Sequence, residues 1–122
     1  MSTELETLAR RAVACKHWRW MPGMSAIMTK PHDGETTFRV VDYIGNRETG
    51  APITMYPDFS DSPTVGALFY LVRAAWGPTV YLIAQGGWLV QGARLPDGST
   101  INLGICRPTE VEALVAALEA AP

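Results

Sequence analysis

Between Cys15 and Met24 the chain gathers Lys16, His17, Trp18, Arg19, Trp20, Met21 and Met24 within ten residues, with Arg11 one helical turn before them. Large rings beside cations suit a flat anionic ligand: the ring stacks on a base, and the cation pairs with a phosphate. On that reading Trp18 and Trp20 stack, Lys16, Arg19 and Arg11 hold phosphate, His17 sits among them, and Met21 and Met24 line the pocket. The alternative is structural. Trp18 and Trp20 can equally be core anchors on either side of a helix end, since tryptophan is highly buried on average, and Pro22-Gly23 can simply be a turn.

Other chemistries have weaker signatures. Cys15, His17, His32 and Cys106 offer metal-ligand types, yet Cys-x-His is not a structural zinc spacing and no second paired motif accompanies it, so no metal is expected. A histidine near a helix end more simply caps carbonyls. No nucleophile elbow accompanies the Ser, Thr or Cys residues. Asp58 and Asp61 could form a carboxylate pair, but Pro57-Asp58-Phe59-Ser60-Asp61 reads more simply as a loop leading to a helix cap. Gly86-Gly87 and Gly98 build no phosphate loop, and no cofactor is expected.

The elements that would position these residues follow from periodicity. A first helix is expected from Glu4 to His17, capped by Thr3 with Glu6 completing a capping box. Leu5, Leu8, Ala9, Ala12 and Val13 form its apolar face, closed by Lys16. Short strands are expected at Ser25–Thr29, Thr36–Ile44 and, at an edge, Ile53–Tyr56. A second helix has Ser62 as cap, Pro63 in its first turn and Gly77-Pro78 as its stop. Its stripe of Val65, Leu68, Phe69, Val72 and Trp76 should lie on a sheet. Thr79–Ala84, Trp88–Ala93 and Thr100–Cys106 read as a three-stranded meander. The last helix begins at Thr109, with Glu112 completing a capping box and Val111, Leu114, Val115 and Leu118 buried. This order predicts one α+β domain over 1–122, a mainly antiparallel sheet packed by about three helices.

Composition fits that class. The chain of 122 residues is 48% hydrophobic and 18% charged, which suits one globular core rather than disorder. A net charge of −2 gives no electrostatic footprint for long nucleic acid. Apolar runs such as Val80–Ala84 are too short to span a bilayer, so no membrane partner is expected. Met1-Ser2-Thr3-Glu4 lacks a secretory pattern, and the two cysteines read as reduced thiols, so the cytoplasm is the expected compartment. Charge is uneven: Arg10, Arg11, Lys16 and Arg19 cluster near the end of the first helix, while Glu110, Glu112 and Glu119 mark the last. Two solvated helix faces explain this, and so does self-association of one with the other.

The stretch Ala14-Cys15-Lys16-His17-Trp18-Arg19-Trp20-Met21-Pro22-Gly23-Met24 resembles the opening of small proteins encoded by tailed bacteriophages and prophages. The stretches 57–66 and 71–77 resemble that family's middle helix, and 109–121 its C-terminal helix. The resemblance implies phage origin and expression in the host bacterial cytoplasm; it carries no activity. Small phage proteins include binders of nucleotide immune signals and inhibitors of host proteins. The expected function is therefore sequestration of a small anionic, nucleotide-like ligand without catalysis, in a homo-oligomer. The alternatives are an interaction module acting on a host or phage protein, and a small hydrolase sensitive to His17, His32 or Asp58.

Overall fold

The first helix, α1, spans Thr3–Val13 in a computed structural model that describes residues 3–30, 34–39, 54–84, 86–94, 97–101 and 103–122. Leu8, Ala9 and Ala12 are buried along the side that the apolar spacing marks. Glu4 and Glu6 in the first turn and Arg10 and Arg11 in the last complement the helix dipole. The helix ends at Val13, short of the expected His17. Beyond it, Cys15 N–H and Trp18 N–H each bond three residues back, to Ala12 O and Cys15 O. This tighter turn carries Trp18 off the helix and onto the core.

Three antiparallel strands follow: β1 (Ser25–Lys30), β2 (Gly34–Arg39) and β3 (Thr54–Pro57). Their order is β2-β1-β3, with Ser25 opposite Arg39 and Ala26 opposite Pro57. Among the described residues β3 lies at an edge, as expected of Ile53–Tyr56, although Ile53 itself falls outside them; the edge also suits its terminal proline. The expected extension of β2 to Ile44, and the loop up to Ile53, lie outside the described residues.

The second helix, α2, spans Ser62–Trp76. Asp61, not Ser62, is its N-cap, accepting from Thr64 N–H at 3.2 Å. A carboxylate fills that place well because it also meets the positive end of the helix dipole. Gly77, at φ 124°, ends the helix, as the Gly-Pro pair predicts. The last helix, α3, spans Glu110–Ala120 and is capped by Thr109, whose hydroxyl accepts from Glu112 N–H at 3.2 Å.

α2 was expected to lie on a sheet, but its main partner is α3. The reason lies in α3 itself: Val111, Ala113, Leu114, Val115, Ala117 and Leu118 are all buried, so apolar residues surround most of the helix and the alanines admit close neighbours. α3 therefore takes the interior place, against α1, α2 and the strands β5 and β8 defined below. The three helices run broadly in one direction. First-turn residues Glu4, Val65 and Val111 border one hollow. Near the other ends, Arg11 meets Glu119, and Trp76 Nε1 donates to Ala117 O at 2.8 Å.

The expected meander is present in modified form. β4 (Tyr81–Ala84), β5 (Trp88–Gln91) and β8 (Ile105–Arg107) make an antiparallel sheet in the order β4-β5-β8. Between them the chain makes a separate two-stranded ladder of β6 (Ala93–Arg94) with β7 (Thr100–Ile101). Two glycines at positive φ break the longer strands that periodicity suggests: Gly92 at 93° and Gly104 at 64°. Gly92 also has no room for a side chain, because a Cβ there would lie 2.7 Å from the Tyr81 ring. Among the described residues the result is an α+β domain of three helices with its strands divided between small antiparallel sheets.

Candidate functional site

The turn after α1 is fixed by one polar network. Gly23, at φ 96°, offers its carbonyl to Arg39 Nη1 at 2.7 Å. The same guanidinium grips both oxygens of Asp61, at 2.9 and 3.1 Å. Thr64 hydroxyl donates to Asp61 at 2.7 Å and accepts from Ser25 N–H at 2.7 Å. The Arg39 guanidinium, then Thr64, hold the Asp61 carboxyl down at about 2. One carboxylate thus caps α2 and ties it to the turn and to β2.

Within that turn the sequence-selected residues divide. Met24 has no exposed surface and belongs to the core, its sulfur accepting from Met21 N–H at 3.4 Å. Trp18 and Trp20 are half-buried and packed on the core. Their rings meet edge to face with centroids 5.4 Å apart, and Trp18 meets Phe59 the same way at 6.4 Å. Trp18 Nε1 is enclosed with no hydrogen-bond partner among the described residues. Both tryptophans therefore have packing roles, the structural alternative for them. Met21 is half-buried beside them.

The basic residues divide as well. Arg11 is clasped by Glu119 across 3.1 and 2.5 Å contacts, and this hydrogen-bonded pairing raises its pKa further. His17 Nε2 donates to Pro122 O at 2.7 Å, a carbonyl-capping role near helix ends. Lys16 is exposed beside Arg11, on a hollow of about 400 Å³ that it shares with Glu119. Arg19 alone of this group reaches an exposed ring: its guanidinium carbon lies 5.9 Å from the centroid of Tyr70.

Tyr70 opens a second half of the site that sequence periodicity passed over. It is 53% exposed on the outer side of α2. Arg73, one turn on, sits 5.7 Å from the Phe69 ring and donates from Nη2 to Pro78 O. Phe69, Tyr70, Arg73, Gly66 and Pro78 line a hollow of about 540 Å³. Gly66 keeps it open, since nothing lies within 4 Å of where its Cβ would be. The missed signal was an aromatic and an arginine three apart on the polar side of a helix, a spacing that makes them neighbours.

Charge separates this hollow from the other described ones. Glu4 and Glu110 line the one between helix N-termini, Glu6, Glu35 and Asp58 line another, and Glu119 lines the third. The α2 hollow has an arginine and no carboxylate among its lining residues. In the second of these hollows Tyr56 hydroxyl reaches Glu35 at 2.8 Å and Glu6 at 3.2 Å; burial first, then Glu35, pushes its pKa up.

The groups considered for catalysis have structural duties. Asp58 accepts from Ser60 N–H and hydroxyl at 3.1 and 2.5 Å, closing a turn. Burial pushes the Cys15 thiol up, and it donates to Arg11 O at 3.4 Å, which disfavours a reactive thiolate. His32 lies outside the described residues. Among the described residues no three His, Cys, Asp or Glu side chains converge as a metal would need. No helix among them is long and apolar enough to cross a membrane. No protein-family model, curated protein or solved structure matches the chain.

Proposed function

We propose that the protein binds, without chemistry of its own, a small anion bearing a flat ring, a nucleotide in chemical class, on the outer face of α2. The observation that carries this is the carboxylate-free hollow lined by Arg73, 5.7 Å from the Phe69 ring, and by Tyr70, whose exposed ring has the Arg19 guanidinium 5.9 Å from its centre. Rings of Tyr70 and Phe69 offer stacking surface, and planar guanidiniums suit paired contacts to phosphate. The volume of about 540 Å³ falls within the range of small-molecule sites. Trp18 and Trp20 support the reading indirectly, by holding Arg19 between two packed rings. The resemblance to phage proteins extends the proposal to a setting, sequestration of a nucleotide immune signal in a host bacterium.

Calorimetric titration with a panel of linear and cyclic nucleotides tests it. Saturable heat from at least one is expected, and no heat from any would overturn the proposal. A second reading, docking of a host or phage protein, draws on the same exposed Tyr70 flanked by arginines, residue types enriched at interface hot spots. Stoichiometric capture of a protein from infected cells, together with calorimetric silence, would favour it.

A further inference from the structure

The hollow on α2 differs in chemistry between its two ends. Gly66, Tyr70 and Ala74 line it at intervals of four residues, and Pro78 follows just past the helix end. It therefore runs along the helix toward the C-terminus, with Ala74 a rise of about 6 Å beyond Tyr70. Over Tyr70 stands Arg19, which has no carboxylate partner among the described residues. At the far end lie the last carbonyls of α2, which carry about half a negative charge from the helix dipole.

Those carbonyls lack donors. Gly77 N–H is taken by Arg73 O, at 2.7 Å. The next residue, Pro78, has no N–H to offer Ala74 O. Among the described residues no hydrogen bond reaches the carbonyls of Ala74, Ala75 or Trp76 from beyond the helix. The cation at this end, Arg73, is already engaged: Nη2 donates to Pro78 O and the guanidinium lies beside the Phe69 ring. It serves the helix end as basic residues of a last turn commonly do. The backbone at this end of the hollow accepts hydrogen bonds and has none to give.

We infer that the α2 hollow selects nucleotides whose base carries an amine where hypoxanthine and uracil carry a carbonyl, and holds them in one orientation. The inference rests on the nucleotide-binding reading of this face. The phosphate lies at Arg19, away from the negative end of the helix. The base lies toward Pro78, where its amine donates to Ala74 O. An amine has two hydrogens to give, whereas a carbonyl in its place sets oxygen against oxygen. Adenine and cytosine meet this requirement, and Arg19 and the Ala74 carbonyl divide the work between affinity and choice of base.

Calorimetric titration of the full chain with matched pairs of nucleotides, in linear and cyclic forms, tests this. The pairs are adenosine against inosine phosphates and cytidine against uridine phosphates. The amine-bearing member of each should bind about tenfold tighter, the value of one hydrogen bond in a partly exposed site. Arg19→Ala should weaken both members of a pair alike and leave their ratio unchanged, because the phosphate is common to both. In carbonyl-labelled protein the Ala74 carbonyl carbon should shift with adenosine phosphate and stay in place with inosine phosphate. Equal affinities within both pairs, or an Ala74 carbonyl that ignores the amine, would overturn the inference and leave nucleotide binding at this face standing. Silence from every nucleotide would overturn both. A ratio that collapses in Arg19→Ala would contradict the assigned orientation.

Discussion

The Arg19 guanidinium lies 5.9 Å from the centre of the Tyr70 ring, and this contact joins the turn after α1 to the outer face of α2. An exposed cation–ring contact of this kind is worth about 0.5 kcal/mol, too little to explain the pairing as a stability device. Arg19→Ala should therefore leave thermal unfolding nearly unchanged. It should weaken binding of a nucleotide found by titration about tenfold, the value of one charge-assisted phosphate contact. Unfolding followed by circular dichroism and affinity by calorimetry read the two effects independently.

Arg11 gives the opposite expectation. Its guanidinium is held by Glu119 across side chains that are 46% and 37% exposed, on a hollow away from Tyr70. Arg11→Ala should cost no more than about 1 kcal/mol in denaturant unfolding, as exposed ion pairs do. Nucleotide affinity should not change. A large loss of affinity would move the ligand to the α1–α3 end of the molecule and revive the phosphate-binding role that the sequence suggests for Arg11.

Asp61 makes a prediction about acid. Its carboxyl is held down to about 2 by Arg39 and then Thr64, against about 3.9 in an unfolded chain. A depressed folded value means that the ionised form stabilises the fold at neutral pH. That contribution is complete above the unfolded value and is lost as pH falls through about 4 toward about 2. Asp61→Asn keeps a good capping side chain but removes the charge. The variant should be less stable than the wild type at pH 7, and the gap should close across this acid window in urea unfolding.

Gly66 separates the needs of the helix from those of the hollow. It sits inside α2 with nothing within 4 Å of a would-be Cβ. Gly66→Ala should therefore stabilise the protein by about 0.5–1 kcal/mol through helix propensity alone. Gly66 lines both this hollow and the one between the helix N-termini; Gly66→Leu should crowd them, lowering nucleotide affinity without unfolding the chain. Paired thermal melts and titrations distinguish the two substitutions.

The helices were legible because their signals are local. Thr109 and Glu112 at the start of α3, Gly77 at the end of α2 and the buried stripe of α3 all follow from spacing along one segment. Strand lengths were less so: Gly92 and Gly104 look like ordinary interruptions in sequence, while in space they divide a meander into a sheet and a separate ladder. The placement of α2 on α3 was hidden because an apolar stripe does not say whether a helix or a sheet will cover it. The site was half legible. The composition of 15–24 marked an unusual turn, but long-range contacts decide what each residue does there. Met24 went to the core, Arg11 to Glu119 and His17 to Pro122, while Arg19 met a ring 51 positions away in sequence, at Tyr70. No local pattern reports such a pairing.

The proposed location of the ligand is open to direct mapping by amide chemical shifts during titration with a nucleotide that gives heat. Shifts should concentrate at Arg19 and along 66–78, and they should vanish in a Tyr70→Ala/Arg73→Ala variant that keeps its native spectrum elsewhere. Shifts confined to Arg11, Cys15, Lys16 and Glu119, or shifts that survive unchanged in that variant, would contradict binding at the α2 face.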